Sequence, residues 1–357
     1  MKEGRIEKVL RILNDMGLDA CILKGMDNIF YLTGFRGSEG TLIITRGDVL
    51  LLIDFRYITY ASEAIKNIKI IELRDKKNIL LEICEKYGIR KMGFDSLQTG
   101  YNTYSRWKET VQDTELIPIT NSIEEIRKCK EPEEIDKIRQ AIDIATKAFD
   151  DVFEKIRPGK TEKEIANELD YAMRKLGADK PSFDTIVASG IRAALPHAIP
   201  TDKEIMEGEA VIIDFGAMLD GYCSDETCTV CIGEISGKIK EIFSIVNDAR
   251  KLAIEKARAG MPVKDLDIVV RGFIENAGYG EYFRHGVGHG VGIAVHEAPA
   301  VNSSGEGIIE ENMVLTLEPG IYIPNVGGVR LEDMVLIAEN TTNVLTHIRK
   351  DMLQIRA

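Results

Sequence analysis

Short apolar runs alternate with helical patterns over roughly the first third of the chain. The runs are DACILKG, TLIITRG, VLLLID, IKIIEL, KMGFDS and ELIPIT. Segments such as KKNILLEICEKYG, which lie between the runs, carry apolar residues every three to four positions, as one face of a helix does. The TRGD tetrapeptide between two of the runs predicts a hairpin turn. The pattern predicts a small α/β domain over residues 1–121.

A different pattern begins at NSIEEIRKCKEPEEIDKIRQAIDIATKAFDDVFEKIRPG, which is charged and helical in period. It is interrupted once, at Pro132, and proline suits the first turn of a helix. We therefore expect a linker, followed by the first long helix of a second domain over residues 122–357.

Two segments of this second domain resemble each other at an offset of 101 residues. RPGKTEKEIANELDYAMRKLG (157–177) and RAGMPVKDLDIVVRGFIENAG (258–278) share four identities in 21 columns. Two amphipathic helices can match this well by coincidence. A true repeat would give two related halves, each a helix pair that leads into a sheet, with a site between the halves.

Two long β-type stretches follow the repeated segments, AVIIDFGAMLDGYCSDETCTVCIG and MVLTLEPGIYIPNVGGVRLEDMVLIAE. Each is typical of a hairpin, and the first contains Asp214 and Asp225. If Asp220 and Gly221 form a two-residue turn, Asp214 opposes Thr227 and the two carboxylates share one face on a diagonal. A four-residue loop would pair them directly, and a register one residue different would put them on opposite faces. The second stretch repeats this arrangement of acids.

The acids of the second hairpin are Glu318 and Glu332, and both have apolar neighbours in sequence. Any one of the four acids alone is consistent with a turn or edge residue that faces water. Together they outnumber the nearby cations, since only Arg330 lies close in sequence, and buried carboxylates must be neutralised, paired or bound to a cation. A histidine would complete an oxygen and nitrogen set suited to Mn(II), Co(II), Fe(II) or Zn(II). Bridging carboxylates can hold two such ions about 3.5–4 Å apart, the arrangement that generates a bridging hydroxide.

Three of the five histidines lie in the run HGVGHGVGIAVHE, residues 285–297. The run could be a phosphate loop, a tightly packed strand and turn, or one edge of a metal site. It lacks the Lys-Ser/Thr ending of a P-loop, which disfavours nucleotide binding. Glycines on both sides of His289 fit a close approach of the backbone to metal and substrate. We expect His289 beside the acids and His296 in the same cavity.

The bulk properties of the 357-residue chain narrow the class of partner. The chain is 44% hydrophobic and 29% charged, with a formal net charge of −12. A negative field of this size disfavours nucleic acids and anionic membranes, so a small molecule or peptide is the expected partner. No apolar run approaches the roughly 18–20 residues of a membrane span, and the first residues lack the apolar core of a signal peptide, so we expect a cytoplasmic protein.

The six cysteines fit a reducing compartment. Cys228 and Cys231 form a CxxC, but they lie in a predicted strand and so point to opposite faces. Redox or zinc chemistry is therefore not expected at this pair.

The segments DFG, GYCSDET, GHGVGIAVHE, LTLEPGIY and GVRLEDM together resemble the pita-bread metallopeptidase family, which includes methionine aminopeptidase, prolidase and aminopeptidase P. The stretch MDNIFYLTGFRGSEGTLIITRGDVLLLIDFRY resembles the extra N-terminal domain of the prolidase and aminopeptidase P branch. The resemblance implies a two-domain α/β protein, with a small α/β N-terminal domain and a pseudo-symmetric α+β pita-bread catalytic domain. It also implies a homodimer.

The resemblance further implies a site for two divalent metal ions, Mn(II) or Co(II), with Fe(II) or Zn(II) as alternatives. Asp225 and Glu332 would bridge the ions. The full set of implied ligands is Asp214, Asp225, His289, Glu318 and Glu332.

Four further roles follow from the same resemblance. His296 would stabilise the tetrahedral intermediate, and His197 would lie near the scissile bond. His285 and Arg330 would shape the pocket for proline. Glu318 would also act as general base and carry the proton to the leaving nitrogen.

The implied function is hydrolysis of Xaa-Pro peptide bonds by a hydroxide that bridges two metal ions, as an Xaa-Pro dipeptidase. The alternative within the family is an Xaa-Pro aminopeptidase. More remote alternatives are a metal-free hydrolase of the creatinase type and a non-catalytic binding scaffold, both of which lose ligands. One departure is Cys228, where relatives commonly carry arginine in SDxTRT; because this position faces away from Asp225, we expect a structural effect without loss of metal.

Overall fold

The structure is a computed structural model that describes residues 3–73, 78–120 and 122–355. They form two compact units, residues 1–127 and 128–357. The domain division expected after residue 121 falls on a residue outside the described ranges, and it stays a prediction. Among the described residues, no helix combines the length and the apolar character needed to cross a bilayer.

The first unit is one six-stranded sheet with helices. Its elements are α1 (Glu3–Asp15), β1 (Ala20–Leu23), α2 (Met26–Thr33), β2 (Thr41–Thr45), β3 (Val49–Ile53), α3 (Phe55–Ala64), β4 (Lys69–Glu72), α4 (Ile79–Tyr87), β5 (Lys91–Asp95), α5 (Tyr101–Thr110), β6 (Glu115–Ile119) and α6 (Ser122–Arg127). The strand order is β4-β3-β2-β1-β5-β6. All six strands predicted from the apolar runs are present, and β2 and β3 form the antiparallel hairpin predicted at TRGD.

The second unit carries its helices in two pairs. Its elements are α7 (Pro132–Phe153), α8 (Glu162–Lys175), β7 (Lys180–Pro181), β8 (Ile186–Ser189), β9 (Ala210–Phe215), β10 (Ala217–Leu219), β11 (Tyr222–Cys223), β12 (Glu226–Ile232), α9 (Gly237–Lys256), α10 (Val263–Asn276), β13 (Gly288–Gly290), β14 (Glu297–Val301), β15 (Val314–Leu317), β16 (Gly320–Ile323), β17 (Gly327–Arg330), β18 (Asp333–Ile337), β19 (Thr342–Val344) and β20 (Leu353–Ile355). The long helix α7 begins at Pro132, as the sequence predicts.

The second unit consists of two related halves. In the first half the helix pair α7 and α8 packs on β8, β9 and β12, and in the second half α9 and α10 pack on β14, β15 and β18. In each half, the turn between the two helices forms a backbone hydrogen bond to a segment later in the chain, and the two bonds are equivalent. Gly159 N donates to Ile205 O at 3.0 Å, and Gly260 N donates to Ile309 O at 2.9 Å. These equivalent bonds favour a true internal repeat over coincidence, the two alternatives that the sequence left open.

The hairpins of the two halves meet at the centre of the unit. Glu332 N donates to Thr227 O at 3.1 Å, and Thr229 Oγ1 donates to Arg330 O at 2.8 Å. These bonds join β12 of the first half to the chain that runs from β17 into β18 of the second half. Residues at the starts of these strands therefore face a shared space between the halves.

The CxxC cysteines lie on opposite faces of β12, as predicted. Cys228 packs in the core of the first half and Cys231 in the core of the second half. Burial raises the pKa of each thiol to about 12, so both are held protonated and apolar.

The repeat predicts that equivalent helix positions contribute equally to stability. Ile165 in α8 and Leu266 in α10 are matched by the 101-residue offset, and both are fully buried. We expect Ile165→Ala and Leu266→Ala each to lower the free energy of unfolding by about 2–5 kcal/mol, because each leaves a cavity in its own half. Urea denaturation of the full chain measures both changes.

The matched surface substitution is Lys163→Ala, at an exposed position of the same helix as Ile165. It should change the free energy of unfolding by less than about 0.5 kcal/mol. If Ile165→Ala lowered the free energy of unfolding by the full expected amount and Leu266→Ala hardly changed it, the two halves would not be equivalent.

Candidate metal centre

The first hairpin brings Asp214 and Asp225 to one face. Asp214 pairs with Thr227 across β9 and β12, and the same register continues to the turn at Asp220 and Gly221. Both turn residues have positive φ, 51° and 80°, as a two-residue type I′ turn requires. The register predicted from the sequence is confirmed, and it places the two carboxylates on a diagonal of the same face.

The second hairpin places its two acids directly opposite each other. Leu317 pairs with Asp333 on one side of the acids, and Gly320 pairs with Arg330 on the other. The common register sets Glu318 opposite Glu332, in the short interval between the paired segments. Each half of the unit therefore supplies one pair of carboxylates.

His289 lies at the centre of β13, between two glycines that pack against backbone. A Cβ at Gly288 would lie 1.9 Å from Thr316 O, and a Cβ at Gly290 would lie 2.2 Å from Ala298 O. The glycines are thus required by close strand packing on both sides of β13. The expectation that they make room for metal and substrate was wrong for Gly290 and incomplete for Gly288, which also lines the cavity.

One cavity of about 440 Å³ in the second unit contains every residue that the sequence singles out for the site. These are Asp214, Asp225, Glu318, Glu332, His197, His285, His289, His296 and Arg330. Sequence reasoning missed five of the other lining residues, which are Phe183, Asp184, Ile186, Pro196 and Asn302. No spacing or composition pattern in the sequence marks these five, because the path of the chain brings them to the cavity.

His289 presents one ring nitrogen to the acids. Its Nε2 lies 3.6 Å from Asp225 Oδ2 and 3.6 Å from Glu318 Oε1. Its Nδ1 lies 3.1 Å from Gly290 O, a contact in which Nδ1 carries the proton and donates. That tautomer leaves the Nε2 lone pair directed at the carboxylates, as a metal ligand requires. Asp225, His289 and Glu332 each offer a ligand atom, and these atoms lie within 4.8 Å of one another.

Arg330 is nearly fully buried and its guanidinium is already bound to protein. Nη2 donates to Asp214 Oδ2 at 2.6 Å, and Nη1 donates to Tyr322 OH at 2.9 Å and to Pro196 O at 3.1 Å. Nε donates to Thr227 Oγ1 at 3.2 Å. Arg330 therefore fixes one metal-site carboxylate and the backbone just before His197.

Three further histidines, His197, His285 and His296, line the same cavity as the acids. His285 Nε2 lies 2.9 Å from Tyr322 OH, and its Nδ1 lies 3.9 Å from Glu318 Oε2. The rings of His289 and His296 are 4.3 Å apart between centroids. His197 and His296 are both exposed, so their rings are accessible from the cavity mouth.

Burial and the nearby like charges shift the pKa values of several groups in the site. Burial, followed by the neighbouring carboxylates, raises the pKa of Asp225 and Glu318 well above the ordinary values. Burial and then Asp214 raise the pKa of Glu332 to about 8. Burial lowers the pKa of His289 to about 4, so its imidazole is neutral. Without a bound cation, the site thus favours the protonated forms of Asp225, Glu318 and Glu332 and an uncharged His289.

Divalent cations fit these residues. The arginine in the cavity balances one of the four converging carboxylates, and Asp214 Oδ1 is buried without a hydrogen-bond partner among the described residues. Four carboxylates and one neutral imidazole form the hard oxygen and nitrogen donor set that divalent first-row metals accept. Cations would also return the acids to their ionised form, since a nearby positive charge lowers a carboxyl pKa.

Comparisons with protein families cover most of the chain. Residues 136–339 match the model of Metallopeptidase family M24, and residues 5–129 match the Creatinase/Prolidase N-terminal domain.

Individual relatives match along almost the whole length. An Xaa-Pro dipeptidase of Pyrococcus furiosus is 39% identical over 99% of this chain and 100% of its own. The solved structure of an Xaa-Pro dipeptidase from Bacillus anthracis is 37% identical with a TM-score of 0.96 and covers 99% of both chains. That of an X-Pro aminopeptidase from Thermotoga maritima is 37% identical with a TM-score of 0.92, over 98% of this chain and 99% of its own. The chain belongs to metallopeptidase family M24, in the group whose members carry the creatinase/prolidase N-terminal domain.

Proposed function

We propose that the protein is an Xaa-Pro dipeptidase that acts with two divalent metal ions. The observation that carries this proposal is the convergence of four carboxylates and His289 Nε2 in a cavity that three further histidines also line. Relatives whose names give this activity match the chain from end to end, which supports the same substrate class.

The five residues that converge would hold the ions, and Asp225 and Glu332 would be the two shared between them. We propose Mn(II) or Co(II) as the native metals, with Fe(II) or Zn(II) as alternatives, because the donor set lacks thiolate. Ions held there would supply Lewis acidity, which activates water and polarises the scissile carbonyl. Arg330 holds Asp214 in place, so that one carboxylate is oriented before a metal arrives.

Side chains around the ligands supply the remaining chemistry. His296 is exposed next to His289 and donates a hydrogen bond where negative charge develops on the carbonyl oxygen. Glu318, ionised when the ions are bound, would accept a proton from the attacking water and deliver it to the proline nitrogen as the bond breaks. His197 lies near the scissile bond. A tertiary amide has no N–H, so recognition depends on ring shape, for which Phe183, Ile186 and Pro196 offer apolar surface.

A second candidate is an Xaa-Pro aminopeptidase. Of the described residues that line the cavity, Arg330 is the one arginine, and Asp214, Tyr322 and Pro196 already occupy it. The free carboxylate of a dipeptide is best bound by an arginine fork, whereas the amide of a longer peptide needs none. The Thermotoga maritima structure, described as an X-Pro aminopeptidase, supports the same alternative.

The other expectations from the sequence enter here as part of the proposal. Retention of all five ligands supports a metalloenzyme over a creatinase-type hydrolase or a binding scaffold. The net charge of −12 supports a peptide partner over nucleic acid or membrane. A homodimer and a cytoplasmic location are supported by the resemblance and the composition.

Removal of the metal should abolish turnover of Xaa-Pro dipeptides. Exhaustive chelation removes the activating ions, and added Mn(II) or Co(II) should restore the rate. Asp225→Asn should lower kcat/KM by at least about 100-fold, since even partners outside the ligand shell cost 10–100-fold. The control is Asp202→Asn, at a carboxylate whose side chain is 85% exposed, which should keep the parental rate. Turnover that survives chelation would support a metal-free hydrolase instead.

His296→Ala should lower kcat by about 10²–10³-fold with little change in KM, because the lost hydrogen bond forms only as charge develops. The metal content, measured by elemental analysis, should stay at the parental level. His347→Ala is the matched control, because His347 is the histidine that does not line this cavity. A fall in bound metal together with the rate would assign His296 to the ligands.

Substrate length distinguishes the two candidate functions. We expect kcat/KM for Xaa-Pro to exceed that for the corresponding Xaa-Pro-Yaa tripeptides, measured on one panel with the same metal. A preference for the tripeptides would establish the aminopeptidase, and the occupied guanidinium of Arg330 would then be its structural reason.

A further inference from the structure

A second cluster of buried charges lies directly behind the proposed bridging ligands. Glu226 follows Asp225 and begins β12, and Asp333 follows Glu332 and begins β18. Successive side chains in extended chain point to opposite faces, so these two acids point away from the metal site. Glu226 is only 1% exposed and Asp333 only 2%. Neither acid is a proposed metal ligand, but each is the next residue in sequence after a proposed bridging ligand.

The segment 345–350, after β19, contacts both of these acids. Lys350 Nζ donates to Glu226 Oε1 at 2.5 Å, and Ile348 N donates to the same oxygen at 3.2 Å. Thr346 Oγ1 donates to Asp333 Oδ1 at 2.6 Å. A single short segment thus ties together the starts of two strands that come from different halves of the unit.

Lys350 carries a positive charge in this buried position. Burial opposes the charge, but the carboxylates of Glu226 and Asp333 outweigh that effect and raise the pKa of Lys350. Arg250 also donates to Asp333 Oδ2, which gives Asp333 a cation of its own. Glu226 receives its ion pair from Lys350, whose side chain is 3% exposed.

Strand β12 offers no cation of its own on this face. Cys228 follows Glu226 by two residues and is buried on the same side, where its thiol packs in the apolar core. Glu226 Oε2 is buried without a hydrogen-bond partner among the described residues. The charge on Glu226 is therefore balanced from a distant part of the sequence.

We infer that Lys350 is a positioning residue for the metal bridge, which it acts on through Glu226 and the start of β12. An unpaired carboxylate at Glu226 would turn toward water, and the rotation would carry the adjacent Asp225 away from Glu332. With Lys350 in place, β12 and β18 stay at the spacing at which both bridging carboxylates reach the same space. This inference rests on the proposed two-metal function.

The test is the affinity for Co(II), measured by competition with a chelator and by the visible absorption of bound Co(II). Lys350→Met keeps the length of the side chain and removes its charge. We expect binding weaker by about 10–100-fold and an altered Co(II) spectrum, the range seen when partners outside the ligand shell are lost. Lys203→Met is the matched control, since Lys203 forms a 2.8 Å ion pair with Glu209 in the same unit. Its Co(II) affinity should equal that of the parent.

Two further variants keep the test decisive if Lys350→Met does not fold. Thr346→Val removes the donor to Asp333 and keeps the shape of the side chain, and it should weaken Co(II) binding by about 10-fold. Cys228→Arg combined with Lys350→Met places a cation on β12 itself, beside Glu226, and should recover most of the parental affinity. A folded Lys350→Met or Thr346→Val protein with parental affinity and spectrum would overturn the inference.

The parental protein separates this inference from the proposed function. If the parent binds two Co(II) ions and cleaves Xaa-Pro peptides while Lys350→Met binds them equally well, the positioning role alone fails. If the parent binds no Co(II), the two-metal function fails first.

Discussion

Asp214, Asp225, Glu318 and Glu332 meet in one cavity that has a single arginine among its described lining residues, and this excess of negative charge is the constraint on which the site depends. Burial disfavours ionised acids, and repulsion by the neighbouring carboxylates disfavours them further, so the pKa values of Asp225, Glu318 and Glu332 rise. The protein could neutralise them with protons, but it would then hold four acids where apolar residues pack better. Bound divalent cations remove the conflict, because they satisfy the carboxylates and the neutral His289 together.

The two-fold repeat explains how a chain assembles such an unfavourable set. Each half contributes a hairpin with two acids, so neither half needs to bury four like charges by itself. Backbone and threonine hydrogen bonds join β12 to the chain that runs from β17 into β18. Arg330 of the second half also binds Asp214 of the first half. Behind the site, Glu226 and Asp333 repeat the arrangement on the reverse face, where Lys350 and Arg250 balance them.

Much of this site follows from the sequence because hairpin registers follow from turn chemistry. The Asp220-Gly221 turn predicts that Asp214 pairs with Thr227, and the structure has this pairing. Contacts distant in sequence did not follow from any local pattern: Arg330 bound to Asp214, and Lys350 paired with Glu226, depend on how the halves dock. A glycine beside His289 could leave space for a ligand or for a neighbouring strand, and the sequence alone does not distinguish the two. The positions of Thr316 and Ala298 in the fold show that neighbouring strands require these glycines.

The central claim is that the four acids and His289 are held together by two metal ions. Anomalous X-ray diffraction at the absorption edge of the added metal, from crystals grown with Mn(II) or Co(II), tests it most directly. We expect two peaks about 3.5–4 Å apart in the cavity, with Asp225 and Glu332 in contact with both. Crystals that diffract well and show no peak at these residues, or a single peak that Asp225 and Glu332 do not touch, would contradict the account.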